Sequence, residues 1–277
     1  MRKLNWFVHF LLALTIVAGA LPAFGAVAFI NSVQGGATAS SSAGVTIPTT
    51  GTMDISAANA FFMCVSDSNT STITVSSSPN MGTFLSLPQQ HAGTGSAGNG
   101  AMQLWYILNP AVSTTQTVTV TPSGGDYYGA VGMWFSGVGA IDQSNGIGST
   151  AGGVTSPWTS ASVTPTYNNE LIISCTTEQA SHTMSIGSSF IIPTNGQLLG
   201  TYTYQTLGAY LIQTTGAGTP VAPNITYSGV ATSMSGTNAT FQAVASNANA
   251  VPYIARSHLP VPTLTGLPWH DLFAWLF

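Results

Sequence analysis

Two stretches of this chain share nearly the same residue pattern, and their repetition constrains the fold more than any other feature. Phe61 to Cys64 and Leu171 to Cys175 are short apolar runs that each follow a polar lead and end on a cysteine. The two cysteines lie 111 residues apart, and the segments that follow them recur in the same order. The sequence therefore predicts one body built from two similar halves.

Short apolar or alternating segments, separated by turn residues, fill most of the chain. Thr72 to Ser76 and Thr115 to Thr121 alternate polar and apolar residues with the period of two that a half-buried strand requires. Strand signals recur about every 8–12 residues and helix signals are nearly absent, which is typical of an antiparallel β-sandwich with a jelly-roll-like order. We place this sandwich at residues 26–250, with pseudo-repeats at about 45–140 and 160–246.

Charge is the unusual quantity in the composition. Only 4% of the residues are charged, against roughly 25% in an ordinary globular domain. No Lys or Arg occurs from Leu4 to Ala255, so the chain lacks the basic surface that nucleic acid requires. The 12 Phe, 9 Tyr and 6 Trp argue against disorder. A folded body with a neutral surface favours close association between copies, because little charge repels them.

Residues 1–25 have the layout of an export signal. Arg2 and Lys3 precede an apolar run, and small residues at positions 23 and 25 predict cleavage before Ala26. The alternative is a retained hydrophobic anchor helix, because the apolar character continues to Ile30 and reaches the length of a membrane span. Both readings predict a secreted or cell-surface protein that contacts a membrane only through this segment.

Residues 251–277 differ in character from the body. Val251 to Pro268 is rich in proline and predicts an extended linker. The last nine residues are strongly apolar, which indicates an interaction site or a segment that folds back over an open edge of the sandwich. Their large apolar side chains are Trp269, Phe273, Trp275 and Phe277.

The two cysteines allow two readings. Cys64 and Cys175 occupy matching places in the two halves, and an exported chain meets an oxidising compartment, so a disulfide between them is one expectation. Each cysteine also ends an apolar run, where a free buried thiol is common. Two cysteines without histidines at ligand spacing predict neither a zinc site nor another metal or cofactor.

The acidic residues predict no catalytic site. Glycoside hydrolysis needs two carboxyl groups across a cleft, but the acids here lie in turns or at predicted strand edges, where turn capping and solvation are the usual roles. The chain contains no Gly-x-Ser-x-Gly motif that would activate a serine, and we predict that it is not an enzyme. The acids considered are Asp54, Asp67, Asp126, Asp142, Glu170 and Glu178.

Aromatic side chains offer a surface for sugar rings if they face outward. Trp158, Tyr127 and Tyr128 are the candidates for stacking on a glycan. The alternative is that they fill the core, because aromatic burial dominates core energetics. The same choice applies to Trp105, Tyr106 and Trp134.

The order of several segments resembles β-sandwich modules of exported bacterial surface proteins and some phage structural proteins, over roughly Val27 to Ala245. The resemblance implies an all-β fold used for display or contact, and it carries over no catalytic residue. The low charge and the two cysteines depart from it. The segments concerned are residues 28–32, 105–120, 135–142 and 169–173.

These observations predict a non-enzymatic exported structural protein, a subunit of an extracellular surface assembly or filament that associates with its own copies. A carbohydrate-binding or adhesion module and a virion structural or decoration protein stay open as alternatives. The predicted docking residues lie near both ends of the mature chain: Val27, Phe29, Ile30, Trp269, Phe273, Trp275 and Phe277.

Overall fold

The computed structural model describes residues 26–36, 42–69, 71–92, 100–124, 127–149, 153–179, 182–187, 189–199 and 204–244. Within these ranges the chain is all β and its strands pair antiparallel, as the sequence predicts. No helix in the same ranges is long and apolar enough to cross a membrane. The predicted export signal or anchor helix and the apolar tail fall outside the described residues.

The described residues before Gly137 form nine strands. They are β1 (Ala28–Gly36), β2 (Val45–Ile47), β3 (Ala60–Asp67), β4 (Ile73–Ser78), β5 (Leu85–Ser86), β6 (Gln90–His91), β7 (Ala101–Leu108), β8 (Thr117–Pro122) and β9 (Tyr128–Ser136).

The described residues after Gly137 form ten strands. They are β10 (Val138–Gly148), β11 (Val154–Thr155), β12 (Trp158–Thr159), β13 (Glu170–Gln179), β14 (Ser185–Ile186), β15 (Gln197–Leu198), β16 (Tyr204–Gln213), β17 (Asn224–Thr226), β18 (Val230–Ala231) and β19 (Met234–Ala243).

The two sets of strands build sheets with corresponding orders. The large sheet of the first set runs β1-β9-β3-β7-β5, with β6 also paired to β7, and that of the second runs β10-β19-β13-β16-β15. Each order places the first strand of the set at one edge, the last strand next to it, and the cysteine strand in the centre. A small sheet accompanies each large one, β2-β8-β4 in the first set and β12-β17-β14 in the second.

Burial explains the residue patterns of these strands. All eight residues of β3 and nine of the ten in β13 are buried, as expected of strands covered from both sides. β3 is largely apolar, whereas β13 also buries polar side chains, among them Glu170 and Glu178. The alternating strand β8, by contrast, buries every second residue, because one of its faces meets the core and the other meets solvent.

The two large sheets share one central core. Its most specific contacts are a pair of exchanged aromatic interactions: Tyr106 of β7 meets Phe241 of β19 with ring centroids 5.3 Å apart, and Tyr210 of β16 meets Phe135 of β9 at 5.2 Å. Both pairs are edge-to-face, a preferred geometry for aromatic rings. The same contact made twice with the roles exchanged is the property of a two-fold interface. The central core also contains Val27, Phe62, Cys64, Leu104, Met133, Leu171, Ile173 and Cys175.

The opposite face of each large sheet is covered as well. In the first half, Ile47, Val118 and Val120 of the small sheet pack with Phe61 and Met63 of β3. In the second half, Trp158 and Ile225 pack with Leu207 and Met234. Each large sheet therefore lies between the central core and an outer core of its own half.

The Asn59 side chain bonds to the segment that joins the two halves. The Asn59 amide donates to the Val138 carbonyl at 2.7 Å, and its oxygen accepts from the Val138 N–H at 3.0 Å. Gly137, between β9 and β10, has a φ of 74°, and the carbonyl of Ala26 occupies the place where a Cβ would stand. Only glycine fits this turn without strain.

Candidate functional site

Cys64 and Cys175 are bonded to each other across the central core. Their Cα atoms lie 5.4 Å apart, and both residues are fully buried. Gly208, which pairs with Cys175 on the adjacent strand, leaves room for the bond: a Cβ there would lie 2.8 Å from Val131 Cγ1 and 3.3 Å from Cys64 Sγ. The bond joins the central strands of the two large sheets and contains no free thiol for chemistry.

Two of the three aromatic candidates for sugar stacking do not face outward. Trp158 is 8% exposed and belongs to an outer core. Tyr128 is 4% exposed, and its hydroxyl donates to the Ala43 carbonyl at 2.5 Å. Tyr127 is half-buried. The expectation of sugar stacking on Trp158 and Tyr128 is therefore corrected, because their ring faces are covered by protein.

Three of the acids are removed from solvent, although solvation was expected of the two glutamates among them. Asp67, Glu170 and Glu178 are fully buried. Asp67 accepts hydrogen bonds from the N–H groups of Asn69 and Ser71, at 3.3 and 3.2 Å. Turn capping thus accounts for Asp67, although its carboxylate is removed from solvent rather than exposed.

Glu170 and Asp54 have different surroundings. Glu170 accepts from the Tyr167 N–H at 2.9 Å, and burial raises the pKa of its carboxyl. Asp54 is exposed and caps a turn by accepting from the Ser56 N–H at 2.9 Å, as expected. That bond, with a further one from the Ser56 side chain, lowers the pKa of Asp54. Asp126 lies outside the described residues.

Glu178 lies in a group of three ionisable side chains with His182 and Tyr227. One of its oxygens lies 2.5 Å from His182 Nδ1, and the His182 ring stacks on Tyr227 with centroids 5.8 Å apart. The Tyr227 hydroxyl donates to the Val154 carbonyl at 2.9 Å. The second Glu178 oxygen is buried without a hydrogen-bond partner.

The surroundings of this group raise the pKa values of Glu178 and Tyr227. Burial raises the pKa of Glu178, opposed by the hydrogen bond and the charge of His182. Burial and the neighbouring Glu178 raise the pKa of Tyr227 to about 12. Across the described ranges, no three His, Cys, Asp or Glu residues lie close enough to hold a metal ion.

An open groove lies at one side of the first half, between β4, β5 and β7; we call it the Trp105 groove. Trp105 is half-buried in its wall, and its indole N–H donates to Gln103 Oε1 at 3.1 Å. The Gln103 amide in turn donates to the Leu87 carbonyl at 3.0 Å. The groove is lined by Ser71, Thr72, Ile73, Ser86, Gln89, Gln103 and Trp105.

Sequence reasoning considered Trp105 but did not select it. Trp105 pairs with Ser86 of β5, and part of its side chain packs against the outer core of the first half. The local signal is the alternation of Gln103 and Trp105 on one face of β7, with Met102, Leu104 and Tyr106 in the core on the other. A polar residue and an aromatic residue on the same outer face indicate an incompletely covered surface.

The predicted docking strand near the N-terminus is occupied within the chain. β1 pairs with β9, and Val27 is buried in the central core. Phe29 stacks on Tyr210 with centroids 4.9 Å apart, and Ile30 packs against the outer core of the first half. Val27 is thus buried, whereas Phe29 and Ile30 are half-buried on a strand at the edge of its sheet, and docking through them stays a prediction.

The outer edge of β1 is also partly engaged. The Asn195 side chain donates to the Ser32 carbonyl at 3.0 Å. The other predicted docking residues, Trp269, Phe273, Trp275 and Phe277, lie outside the described residues.

Comparison with known proteins gives no relative. No family model matches the chain, and no curated protein or solved structure matches it. The resemblance to surface and phage modules stays a prediction.

We expect the disulfide to contribute strongly to stability. Replacing both cysteines (Cys64→Ala with Cys175→Ala) removes a link that closes a loop of 111 residues, and should lower the free energy of unfolding by about 4 kcal/mol. Guanidinium unfolding of the oxidised chain and the double variant measures the difference. As a control, reductant is added to the unfolded parent chain before it refolds. Equal midpoints of guanidinium unfolding for the oxidised chain and the double variant would contradict the presence of the bond.

Glu178 should make stability depend on pH. Because burial raises its pKa above the usual 4.5, the folded chain keeps the proton to a higher pH than the unfolded chain does. The stabilising contribution of Glu178 to the free energy of unfolding is therefore complete below its pKa in the unfolded chain. It is lost as the pH rises through its pKa in the folded chain.

Urea unfolding across this window tests the effect in Glu178→Gln, whose neutral amide does not titrate. The variant should lose less stability than the parent chain as the pH rises. The matched control is Asp54→Asn, which replaces an exposed acid whose pKa is lowered. This variant should still lose stability as the pH rises. Parallel curves for the parent chain and Glu178→Gln would contradict the assignment.

Proposed function

We propose that this chain is a non-enzymatic exported structural protein, a subunit that associates with its own copies in an extracellular assembly. In this proposal its body is a β-sandwich of two similar halves, and the apolar segment at residues 269–277 supplies the docking contact.

The near absence of charge at the surface carries the proposal. The described ranges contain no Lys or Arg. Of their five carboxyl groups, those of Asp67, Glu170 and Glu178 are buried, which leaves only Asp54 exposed and Asp142 half-buried. A surface this neutral exerts little like-charge repulsion, so copies of the chain can pack closely over a wide range of salt concentration.

The organisation of the body supports the same function. Each large sheet is covered on both faces, and a disulfide joins the two central strands. Buried sheets joined by a disulfide stabilise the folded body, which suits a structural subunit. Val27 is buried, and Phe29 and Ile30 make contacts within the chain, which favours residues 269–277 over the N-terminal strand as the docking segment.

Two other functions stay open as proposals. A glycan-binding role is favoured by the Trp105 groove. A virion role rests on the pattern of resemblance alone, and a mature chain that starts at Ala26 would count against it.

Electron microscopy of the full chain, with intact mass measured on the same sample, tests the assembly. We expect regular polymers or a lattice, built from a chain that begins at Ala26. Deletion of residues 268–277 should leave monomers. So should a variant of full length in which Trp269, Phe273, Trp275 and Phe277 are all replaced by Ser.

Val230→Ser is the matched control, because it removes an exposed apolar side chain from the body and should polymerise as the parent does. Dispersed monomers of the parent chain at every concentration would contradict the proposed function. Polymers of both tail variants would instead reject residues 269–277 as the docking segment.

A further inference from the structure

The Trp105 groove has a counterpart in the second half, which allows an internal comparison. Tyr106 and Tyr210 hold corresponding positions, since each makes one of the two exchanged aromatic contacts. The residue before Tyr106 is Trp105, and the residue before Tyr210 is Ala209. Gln103, two residues before Trp105, corresponds to Leu207, two residues before Ala209.

The corresponding place in the second half is closed. Leu207 and Ala209 are fully buried. Phe190 and Ile192 pack over this face, and Ile192 occupies the place that Ser86 has in the first half. The two halves share one arrangement of strands, so stability does not require an open polar groove here. The first half has an indole, amides and hydroxyl groups where the second has packed apolar side chains.

The lining chemistry restricts the ligand. None of the described residues that line the groove has an ionisable side chain, so a charged ligand would lose hydration without gaining a charged partner among them. The half-buried Trp105 lines the groove together with residues that carry hydrogen-bonding groups, Thr72, Ser86 and Gln89. Aromatic faces suit the apolar C–H faces of sugar rings, and amides and hydroxyl groups suit their hydroxyls.

The groove is also held in position before any ligand binds. Gln103 fixes the indole by accepting from its N–H, and is itself fixed by its bond to the Leu87 carbonyl. The Gln89 amide lies 3.4 Å from the Ser71 carbonyl, which links the two walls. A preorganised site loses less conformational freedom on binding.

We infer that the Trp105 groove binds a neutral saccharide, with one sugar ring stacked on Trp105 and its hydroxyl groups bonded to Gln89, Thr72 and Ser86. This goes beyond assembly, because association through residues 269–277 does not involve the groove. Proline-rich peptides are the less favoured ligand, since grooves that bind them present several aromatic side chains, and Trp105 is the one aromatic residue among the described lining residues.

The test uses the full chain and four neutral oligosaccharides: maltohexaose, cellohexaose, hexa-N-acetylchitohexaose and mannohexaose. Tryptophan fluorescence and isothermal titration calorimetry measure binding. At least one of these probes should bind, and Trp105→Ala should weaken that binding by about ten-fold or more, the effect of losing a ring contact and its hydrogen bonds.

Two milder variants keep the test valid if Trp105→Ala does not fold. Gln89→Ala removes one polar partner, and Ser86→Ile installs the side chain that the second half has at this place. Both should weaken binding while near-ultraviolet circular dichroism stays unchanged. Tyr167→Ala is the matched control, since Tyr167 is 46% exposed and lies outside the groove; it should bind as the parent does.

Failure of all four probes to bind would overturn the inference. So would binding that persists unchanged in Gln89→Ala and Ser86→Ile. Binding of a peptide of residues 251–268, in preference to every saccharide, would also overturn it and assign the groove to a proline-rich segment. None of these outcomes alters the polymers seen by microscopy, so the inference and the proposed function fail separately.

Discussion

The central core between the two large sheets is the interaction on which the rest of the structure depends. Its exchanged contacts, Tyr106 with Phe241 and Tyr210 with Phe135, and the bond between Cys64 and Cys175 hold the halves face to face. Because each large sheet has an outer core on its other face, neither has a broad face in solvent. The arrangement is that of a two-fold dimer whose two subunits are parts of one chain.

The two halves share a strand arrangement but differ in the polar and aromatic side chains at corresponding positions. Asp67 and Glu178 each lie three residues after their cysteine, and both are fully buried. Asp67 caps a turn, whereas Glu178 holds His182 beside Tyr227. The same divergence appears at Trp105 and Ala209, where one half is open and the other is packed. The shared core maintains the fold, and the sides of each half are free to differ.

The strands and their repetition could be predicted from the sequence, because period-two alternation and the two cysteine runs are local patterns. The positions of Glu170 and Glu178 could not, since an acid in a strand is solvated unless a second layer covers that face, and the covering segments lie far away in the chain. Burial of Trp158 and the pairing of β1 with β9 have the same long-range origin. The groove escaped prediction because it joins three separate segments, 71–73, 86–89 and 103–105.

Native-state hydrogen exchange tests most directly whether the two halves are one cooperative body. Because both cysteine strands contribute to one core and are joined by the disulfide, the amides of β3 and β13 should exchange only through global unfolding. They should therefore show equal free energies of opening and an equal dependence on denaturant. Protection lost in one half at a distinctly lower free energy, while the other half stays protected, would contradict the shared core.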